Sequence, residues 1–369
     1  MKGFRNLADA DLEIPAEGFV LVGKNGHGKT SLVEAMLYCE VFRSFRGAGD
    51  RELVKFGADG FFVETGLQEN GAPEAGRRPD AQRWAGNGEE RARLVAAGFD
   101  ARTREKKVTV GRVEAEKLAD AIGIVRGVVL SPGDVALVAG GPRERRRYLD
   151  VMLSLTVKGY VEALGRYRRA LRHRCHATAA DMPAWERVLA ETGSRVIEAR
   201  RGWTERWAER YAALCGDMGE ERASGPAGQR AGPALEYVPS ARGDLLEALE
   251  KTRERDLARG RTSVGPHRDD LKLALGGHDL RTYGSAGQHR TAALALRICE
   301  AETLEAPTIC LDDAFAELDV ERSRRLGAMI EAMAAAGKQV IAAVPKAGEV
   351  PRVISGLPVR RIEHGEIRA

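Results

Sequence analysis

Gly23-Lys24-Asn25-Gly26-His27-Gly28-Lys29-Thr30 fits the pattern GxxxxGK[ST], and its flanks decide how it is read. Ahead of it, the apolar run Phe19-Val20-Leu21-Val22 reads as a buried strand. Behind it, Ser31 to Tyr38 places Leu32, Ala35 and Met36 on one helix face. Strand, glycine-rich loop and helix N-terminus in that order make a phosphate cradle. The glycines let backbone N–H groups converge on phosphate oxygens at the positive end of the helix dipole. Gly23, Lys24, Asn25, Gly26, His27, Gly28, Lys29, Thr30 and Ser31 are therefore the candidate nucleotide loop. Lys29 would reach the β and γ phosphates of ATP, and Thr30 would ligate magnesium.

The complement of that loop lies near the other end of the chain. Thr308-Ile309-Cys310-Leu311-Asp312-Asp313 is an apolar run closed by two acids, as in a buried strand that delivers carboxylates to a magnesium nucleotide. Asp312 would hold the metal through water, and Asp313 would orient or polarise the attacking water. Lys29, Asp312 and Asp313 are thus the catalytic candidates, with Thr30 and Asp312 as the metal pair. The run continues as Ala314-Phe315-Ala316-Glu317-Leu318-Asp319, which resembles the D-loop of ABC ATPases. Upstream, Ser285-Ala286-Gly287-Gln288-His289-Arg290 resembles the ABC signature. There a serine-capped helix N-terminus presents its dipole, a hydroxyl and a glycine N–H to the γ-phosphate of a partner subunit's ATP.

Composition sets the frame. The chain has 369 residues, 43% hydrophobic and 30% charged, enough for a substantial core in one or two domains. No uninterrupted apolar stretch is long enough to span a bilayer and no secretory pattern opens the chain, so the expected location is the cytoplasm, away from membranes. The five cysteines are scattered and never spaced as CxxC, which points to reduced, mostly buried thiols. A net charge of +4 does not argue for nucleic acid by itself, so the distribution of charge must.

The expected fold class is α/β: an ABC-type P-loop ATPase head, a mixed sheet flanked by helices, with an inserted, mainly helical arm. The head is read as 1–141 plus 260–369 and the arm as 142–259. Further strands are expected at Phe61 to Val63, Val125 to Leu130, Leu271 to Leu275 and Gln339 to Ala343. Arm helices are expected at Arg143 to His176, Ala184 to Leu214 and Asp244 to Arg259. The Gly, Pro, Ala and Arg-rich stretch between Asn70 and Glu90 reads as a surface loop.

Together these segments resemble the RecF family, bacterial DNA repair and recombination ATPases related to the heads of SMC proteins. The likeness runs over nearly the whole chain. It is carried by Phe4-Arg5-Asn6, the loop and helix from 23 to 35, Phe42-Arg43-Ser44-Phe45-Arg46, Leu130-Ser131-Pro132-Gly133-Asp134, the run from Gly141 to Asp150, Gly265-Pro266-His267-Arg268-Asp269-Asp270-Leu271, the signature and the acidic strand. The resemblance implies an ATP-driven homodimer that binds DNA at gaps and single-strand/duplex junctions. It further implies loading of the RecA recombinase with RecO and RecR, in DNA repair, replication and the SOS response, with weak, DNA-stimulated ATP hydrolysis. It places Arg5 and Asn6 near the nucleotide, and Ser285, Gly287 and Gln288 in the other subunit's site. Departures from the family pattern are Lys24 in place of an acidic or small residue, Leu7 in place of an aromatic, and a chain that begins without the strand usual before Phe4. Ala343-Val344-Pro345 also lacks a histidine or threonine for the γ-phosphate, which bears on turnover more than on binding.

Between Gly141 and His176 ten Lys or Arg face three acids, a local excess of +7, with Tyr148, Tyr160 and Tyr167 interleaved. Arg143, Arg145, Arg146, Arg147, Arg168, Arg169 and Arg172 are the candidates to meet DNA phosphates. Arg195, Arg200, Arg201, Arg206 and Arg210, alternating with glutamates, read as surface ion pairs. His173 and His176, beside Arg172 and Arg174, are poor metal ligands, and Trp185, Trp203 and Trp207 read as core of the arm. Two other function classes share parts of this pattern: the ATPase subunit of a transporter, and an ATP-gated scaffold that does not hydrolyse.

Overall fold

A computed structural model describes residues 1–67, 94–219, 223–224, 230–316 and 318–368. The expected loop from Asn70 to Glu90, and Glu317 of the D-loop segment, lie outside the described residues. The chain divides into two compact units, Met1–Pro132 with Ala301–Ala369, and Gly133–Glu300.

The first unit is built on a six-stranded sheet in the order Glu366–Arg368, Val359–Glu363, Gly18–Val22, Gln339–Val344, Thr308–Asp312, Gly127–Leu130. All neighbours are parallel except the terminal hairpin of Val359–Glu363 with Glu366–Arg368. Strands buried on both faces need continuous apolar runs, and Phe19 to Leu21, Ile309 to Leu311 and Val340 to Ala343 supply them. Gly18 sits at φ 99°, and a Cβ there would lie 1.8 Å from the Val340 carbonyl oxygen, so only glycine admits this strand beside its neighbour.

Register then places the chemistry. Leu21 and Asp312 both pair with Ala343, so the strand before the glycine loop and the strand carrying the acids end at the same edge. Ligands of parallel sheets bind beyond such carboxyl ends. Helix Lys29–Val41 follows the loop and is buried nearly all round, from Ser31 to Ala35 and from Leu37 to Cys39, rather than on one face as its sequence suggests. A second, antiparallel sheet joins Gly60–Gly66, Leu94–Asp100, Lys106–Val110 and Val113–Glu114, with Phe61 and Val63 buried on the first strand and Val95 to Ala97 all buried on the second. Its inward Phe61 meets Tyr38 edge-on at 5.2 Å and Phe4 at 5.4 Å. Lys2 and Phe4 form isolated bridges to Phe62 and Val54.

The second unit is mainly helical, and its limits differ from the segment read as 142–259. Residues 260–300 cluster with the helices because strand Asp270–Leu275 pairs antiparallel with Pro233–Val238 over six residues, from Asp270↔Val238 to Leu275↔Pro233. The single helix expected from Arg143 to His176 is two, Pro142–Thr156 and Tyr160–Arg174, broken where Gly159 adopts φ 79°. Met182–Asp217 and Leu245–Arg259 correspond to the other two expected helices. Arg200, read as a surface residue, is 2% exposed. Its guanidinium donates to Asp150 at 2.7 Å, to the Tyr160 hydroxyl at 3.2 Å and to the Pro266 carbonyl at 2.7 Å. Sequence spacing shows its glutamate neighbours along the helix but not the carboxylate that packs against it from another.

A second buried centre pairs Arg174 with Glu186 and with Asp256, both at 3.0 Å, and Arg253 also donates to Glu186. Burial acts to raise both carboxyls. The hydrogen bonds from Arg253 and Arg174 to Glu186, and from Ser263 and Arg174 to Asp256, outweigh it and hold both below their ordinary values. Depressed carboxyls stabilise the fold above their unfolded pKa and lose that contribution as the pH falls. Arg174→Met is accordingly expected to cost about 3 kcal/mol in urea unfolding at pH 7, because it strands buried charge. That cost should shrink as the pH is lowered past the ordinary carboxyl values of 4.5 and 3.8. A cost that does not change with pH would show that the pairing is not electrostatic.

Candidate nucleotide site

The glycine loop turns on two residues of positive φ, Gly26 at 83° and Gly28 at 107°, and Gly28 caps helix Lys29–Val41. Gly23 enters the loop by donating its N–H to the Val344 carbonyl at 3.2 Å, which ties the loop to the end of the central strand. Lys29 is buried. Its ammonium donates to the Gly23 carbonyl at 2.6 Å and to Asn25 Oδ1 at 3.2 Å, so it spans the mouth of the loop where polyphosphate oxygens would lie.

Thr30 Oγ1 donates to Asp312 Oδ1 at 3.0 Å, bringing the candidate metal pair together from opposite ends of the chain. Burial pushes the Asp312 carboxyl above its ordinary value. The Thr30 hydroxyl and the Lys29 ammonium act to lower it, and the neighbouring Asp313 acts to raise it. A hydroxyl and a carboxylate side by side are hard oxygen donors of the kind magnesium accepts alongside phosphate oxygens, so the residues fit that ion. Asp313 is one residue past the strand at φ 58°, with its N–H held by the Ala343 carbonyl at 3.0 Å. Aspartate tolerates this left-handed conformation, which turns the chain sharply so that consecutive carboxylates leave the strand in different directions.

Arg5 and Asn6 take different places. Asn6 lies on the loop: its Nδ2 donates to the Gly26 carbonyl at 3.0 Å and its Oδ1 accepts from Ser31 Oγ at 2.9 Å. Arg5, at φ 52°, instead clamps Glu34 through Nε at 2.9 Å and Nη2 at 3.1 Å, and Glu34 also accepts from the Ser44 hydroxyl. Sequence reading passed over Glu34. The available signal is a lone carboxylate in a helix turn otherwise composed of Leu32, Val33, Ala35 and Met36. Through Ser44, whose Oγ accepts the Arg46 N–H at 3.1 Å, the helix is linked to the Phe42 to Arg46 segment.

Ser285 and Gln288 cap helix Ala286–Thr303 reciprocally. The Gln288 N–H donates to Ser285 Oγ at 3.2 Å, and the Ser285 N–H donates to Gln288 Oε1 at 2.9 Å. Ser285 is exposed and Gly287 half-buried beside it, so the helix terminus faces solvent. Asp319 caps the next helix, Val320–Ala335, by accepting the Arg322 N–H at 2.8 Å.

The basic stripe is corrected in part. Arg145 is 3% exposed, pairs with both oxygens of Asp270 at 2.8 and 2.9 Å and donates to the Gly140 carbonyl, so it is unavailable to a phosphate. Arg146 donates to the Asp269 carbonyl at 2.8 Å. Tyr148, Tyr160 and Tyr167 are buried, bonded to the Leu296 carbonyl, Asp150 and His267 respectively. Arg143, Arg169 and Arg172 are exposed, Arg168 is exposed while pairing with Asp150 at 2.9 Å, and Arg147 is half-buried. Trp203 is core, whereas Trp185 is half-buried and stacks on His173 at 4.6 Å. His267, given no role by the sequence, bonds Tyr167 at 2.6 Å and the Thr262 carbonyl at 3.0 Å, and so fixes the turn that enters strand Asp270–Leu275. Cys39, Cys215, Cys299 and Cys310 are buried and outside any disulfide, and Cys175 is half-buried.

No family model matches the sequence. Similar curated proteins are called DNA replication and repair protein RecF. The one from Roseiflexus castenholzii is 32% identical over 90% of this chain and 89% of its own, and the one from Streptomyces avermitilis is 31% identical over 96% and 94%. Among solved structures, the recombination mediator protein RecF with ATP, from the RecFOR pathway, is 26% identical and covers 99% of this chain and 95% of its own at a TM-score of 0.83. The Smc head domain of Pyrococcus furiosus, at 13% identity and a TM-score of 0.53, shares the fold. The architecture is thus that of the ABC-type ATPase head.

Glu34 sets the position of Arg5 and of the Phe42 to Arg46 segment, so Glu34→Ala is expected to lower stability by about 3 kcal/mol through the desolvated guanidinium and hydroxyl it leaves behind. Thermal and urea unfolding of the variant measure this, and a loss below that of an ordinary surface substitution would contradict it.

Proposed function

The chain belongs to the RecF family, and from that membership and the site geometry we propose that it is an ATP-dependent DNA-binding protein of recombinational repair and replication restart. It dimerises with ATP on single-stranded/duplex DNA junctions and gaps, releases by slow hydrolysis and helps load the RecA recombinase with RecO and RecR in the cytoplasm. The observation that carries the reading is the contact of Thr30 with Asp312 at 3.0 Å, which joins the phosphate loop to the acidic strand beyond the carboxyl ends of one parallel sheet.

In this reading the loop N–H groups and Lys29 hold the triphosphate, and Asn6 keeps the loop in shape. Thr30 and Asp312 would hold magnesium, which would supply positive charge against the phosphates. Asp313 orients the attacking water. Ser285 is exposed at a helix N-terminus with Gly287 and Gln288 half-buried beside it, and in this reading the three complete the ATP site of the partner subunit, so closure needs two copies. The strand end Ala343-Val344-Pro345 offers no side-chain donor to the γ-phosphate, which favours slow turnover. The same feature supports the second reading, an ATP-gated scaffold that does not hydrolyse. A transporter subunit finds no support, because the relatives named RecF cover 88% or more of this chain. The exposed Arg143, Arg168, Arg169 and Arg172 are the phosphate contacts favoured on the second unit.

Lys29→Ala is expected to weaken ATP binding about tenfold or more, the worth of charge-assisted hydrogen bonds to phosphate. Ser285→Arg should keep that affinity but abolish the ATP-dependent dimer in light scattering, and a dimer that persists would refute the shared site. DNA binding across a salt series, with and without ATP, should favour gapped over duplex DNA. Turnover that gapped DNA does not stimulate would favour the scaffold.

A further inference from the structure

The C-terminal hairpin, Val359–Glu363 with Glu366–Arg368, reaches the phosphate loop through its turn. His364 and Gly365 form that turn at φ 48° and 85°. The Gly365 N–H donates to the His27 carbonyl at 3.0 Å, and the Gly365 carbonyl accepts the Ala8 N–H at 3.0 Å. A Cβ on Gly365 would lie 2.0 Å from the Asn6 carbonyl oxygen, so the turn and the Asn6 segment meet backbone to backbone. The His364 ring lies over the His27 ring with centroids 4.7 Å apart and planes at 31°. Ile362, buried on the same hairpin, packs where side chains on Gly23 or Gly28 would stand, with its atoms 2.5 and 3.2 Å from ideal Cβ positions there.

One hairpin therefore meets the loop at its first, fifth and sixth residues. A trans peptide points its C=O and N–H in opposite directions. When Gly365 holds the His27 carbonyl toward the hairpin, the N–H of Gly28, across the same peptide plane, is turned away from the hairpin. That N–H belongs to the first residue of the GKT segment, where phosphate-binding donors are required. The ring stack adds a side-chain brace to the same residue, at the one loop position where the sequence carries an aromatic ring.

We propose that His364 and Gly365 are positioning residues of the nucleotide site, and that the His364 ring holds the His27–Gly28 peptide in its phosphate-binding orientation. The inference rests on the nucleotide reading given above. His364 is exposed, so replacing it removes the brace without opening the core.

The test is equilibrium binding of MgATP to the full chain and to His364→Ala, His364→Phe and Lys29→Ala, with unfolding midpoints measured alongside. His364→Ala is expected to bind ATP about tenfold more weakly, comparable to losing one well-placed hydrogen bond to a charged group, at an unchanged midpoint. His364→Phe, which keeps a flat ring over His27, should restore affinity to within about twofold of the original. Unaltered affinity in His364→Ala, or no rescue by phenylalanine, overturns the role of the ring. So does an affinity loss that merely follows a drop in the midpoint. If Lys29→Ala also binds as the original does, the nucleotide reading itself falls, an outcome separable from failure of the hairpin alone.

Discussion

The hydrogen bond from Thr30 to Asp312 joins residues 282 positions apart, and the head is arranged to make it. The strand that leads into the loop before Thr30 does not pair with the strand that ends at Asp312. Both pair with Gln339–Val344, and register along that middle strand fixes where each ends. A slip of one residue would turn every side chain to the opposite face and separate the hydroxyl from the carboxylate. The register of three neighbouring strands therefore places the candidate metal pair more strictly than any local motif.

Around that contact the site is held by backbone more than by side chains. The Val344 carbonyl accepts the Gly23 N–H, the Ala343 carbonyl accepts the Asp313 N–H, and the Gly365 N–H donates to the His27 carbonyl. Gly18, Gly23 and Gly365 stand where Cβ atoms would collide with neighbours. One step further out, the Arg5 guanidinium and the Ser44 hydroxyl meet on the buried Glu34. The second unit uses the same device on a larger scale. Arg174 and Arg200 are almost fully buried, each surrounded by carboxylates and carbonyls from several elements. Such centres contribute little net stability when intact and cost a great deal when half removed, so they fix which helices pack together.

This explains why the basic stripe misleads. Charge per residue along a helix is a property of sequence, but whether an arginine meets water or a carboxylate depends on the element packed against it. Arg143, Arg168, Arg169 and Arg172 lie on outward faces, whereas Arg145 and Arg200 face Asp270 and Asp150 from other segments. The tyrosines interleaved with that stripe are buried for the same reason, with their hydroxyls bonded inside. The break in the helix after Thr156 was announced only by Gly159, a signal too common to separate one helix from two without the tertiary packing.

Some features needed no tertiary information. The phosphate loop, the acidic strand and the Ser285–Gln288 cap are local: each is a short run whose residue types answer to backbone geometry within a few positions, so order along the chain suffices to read them. Glu34, the burial of Arg200 and the hairpin turn at His364-Gly365 carry no such local mark. Their partners lie in distant segments, and only the register of a parallel sheet and the packing of helices decide that Arg5 meets Glu34, that Arg200 meets Asp150, and that Gly365 meets His27.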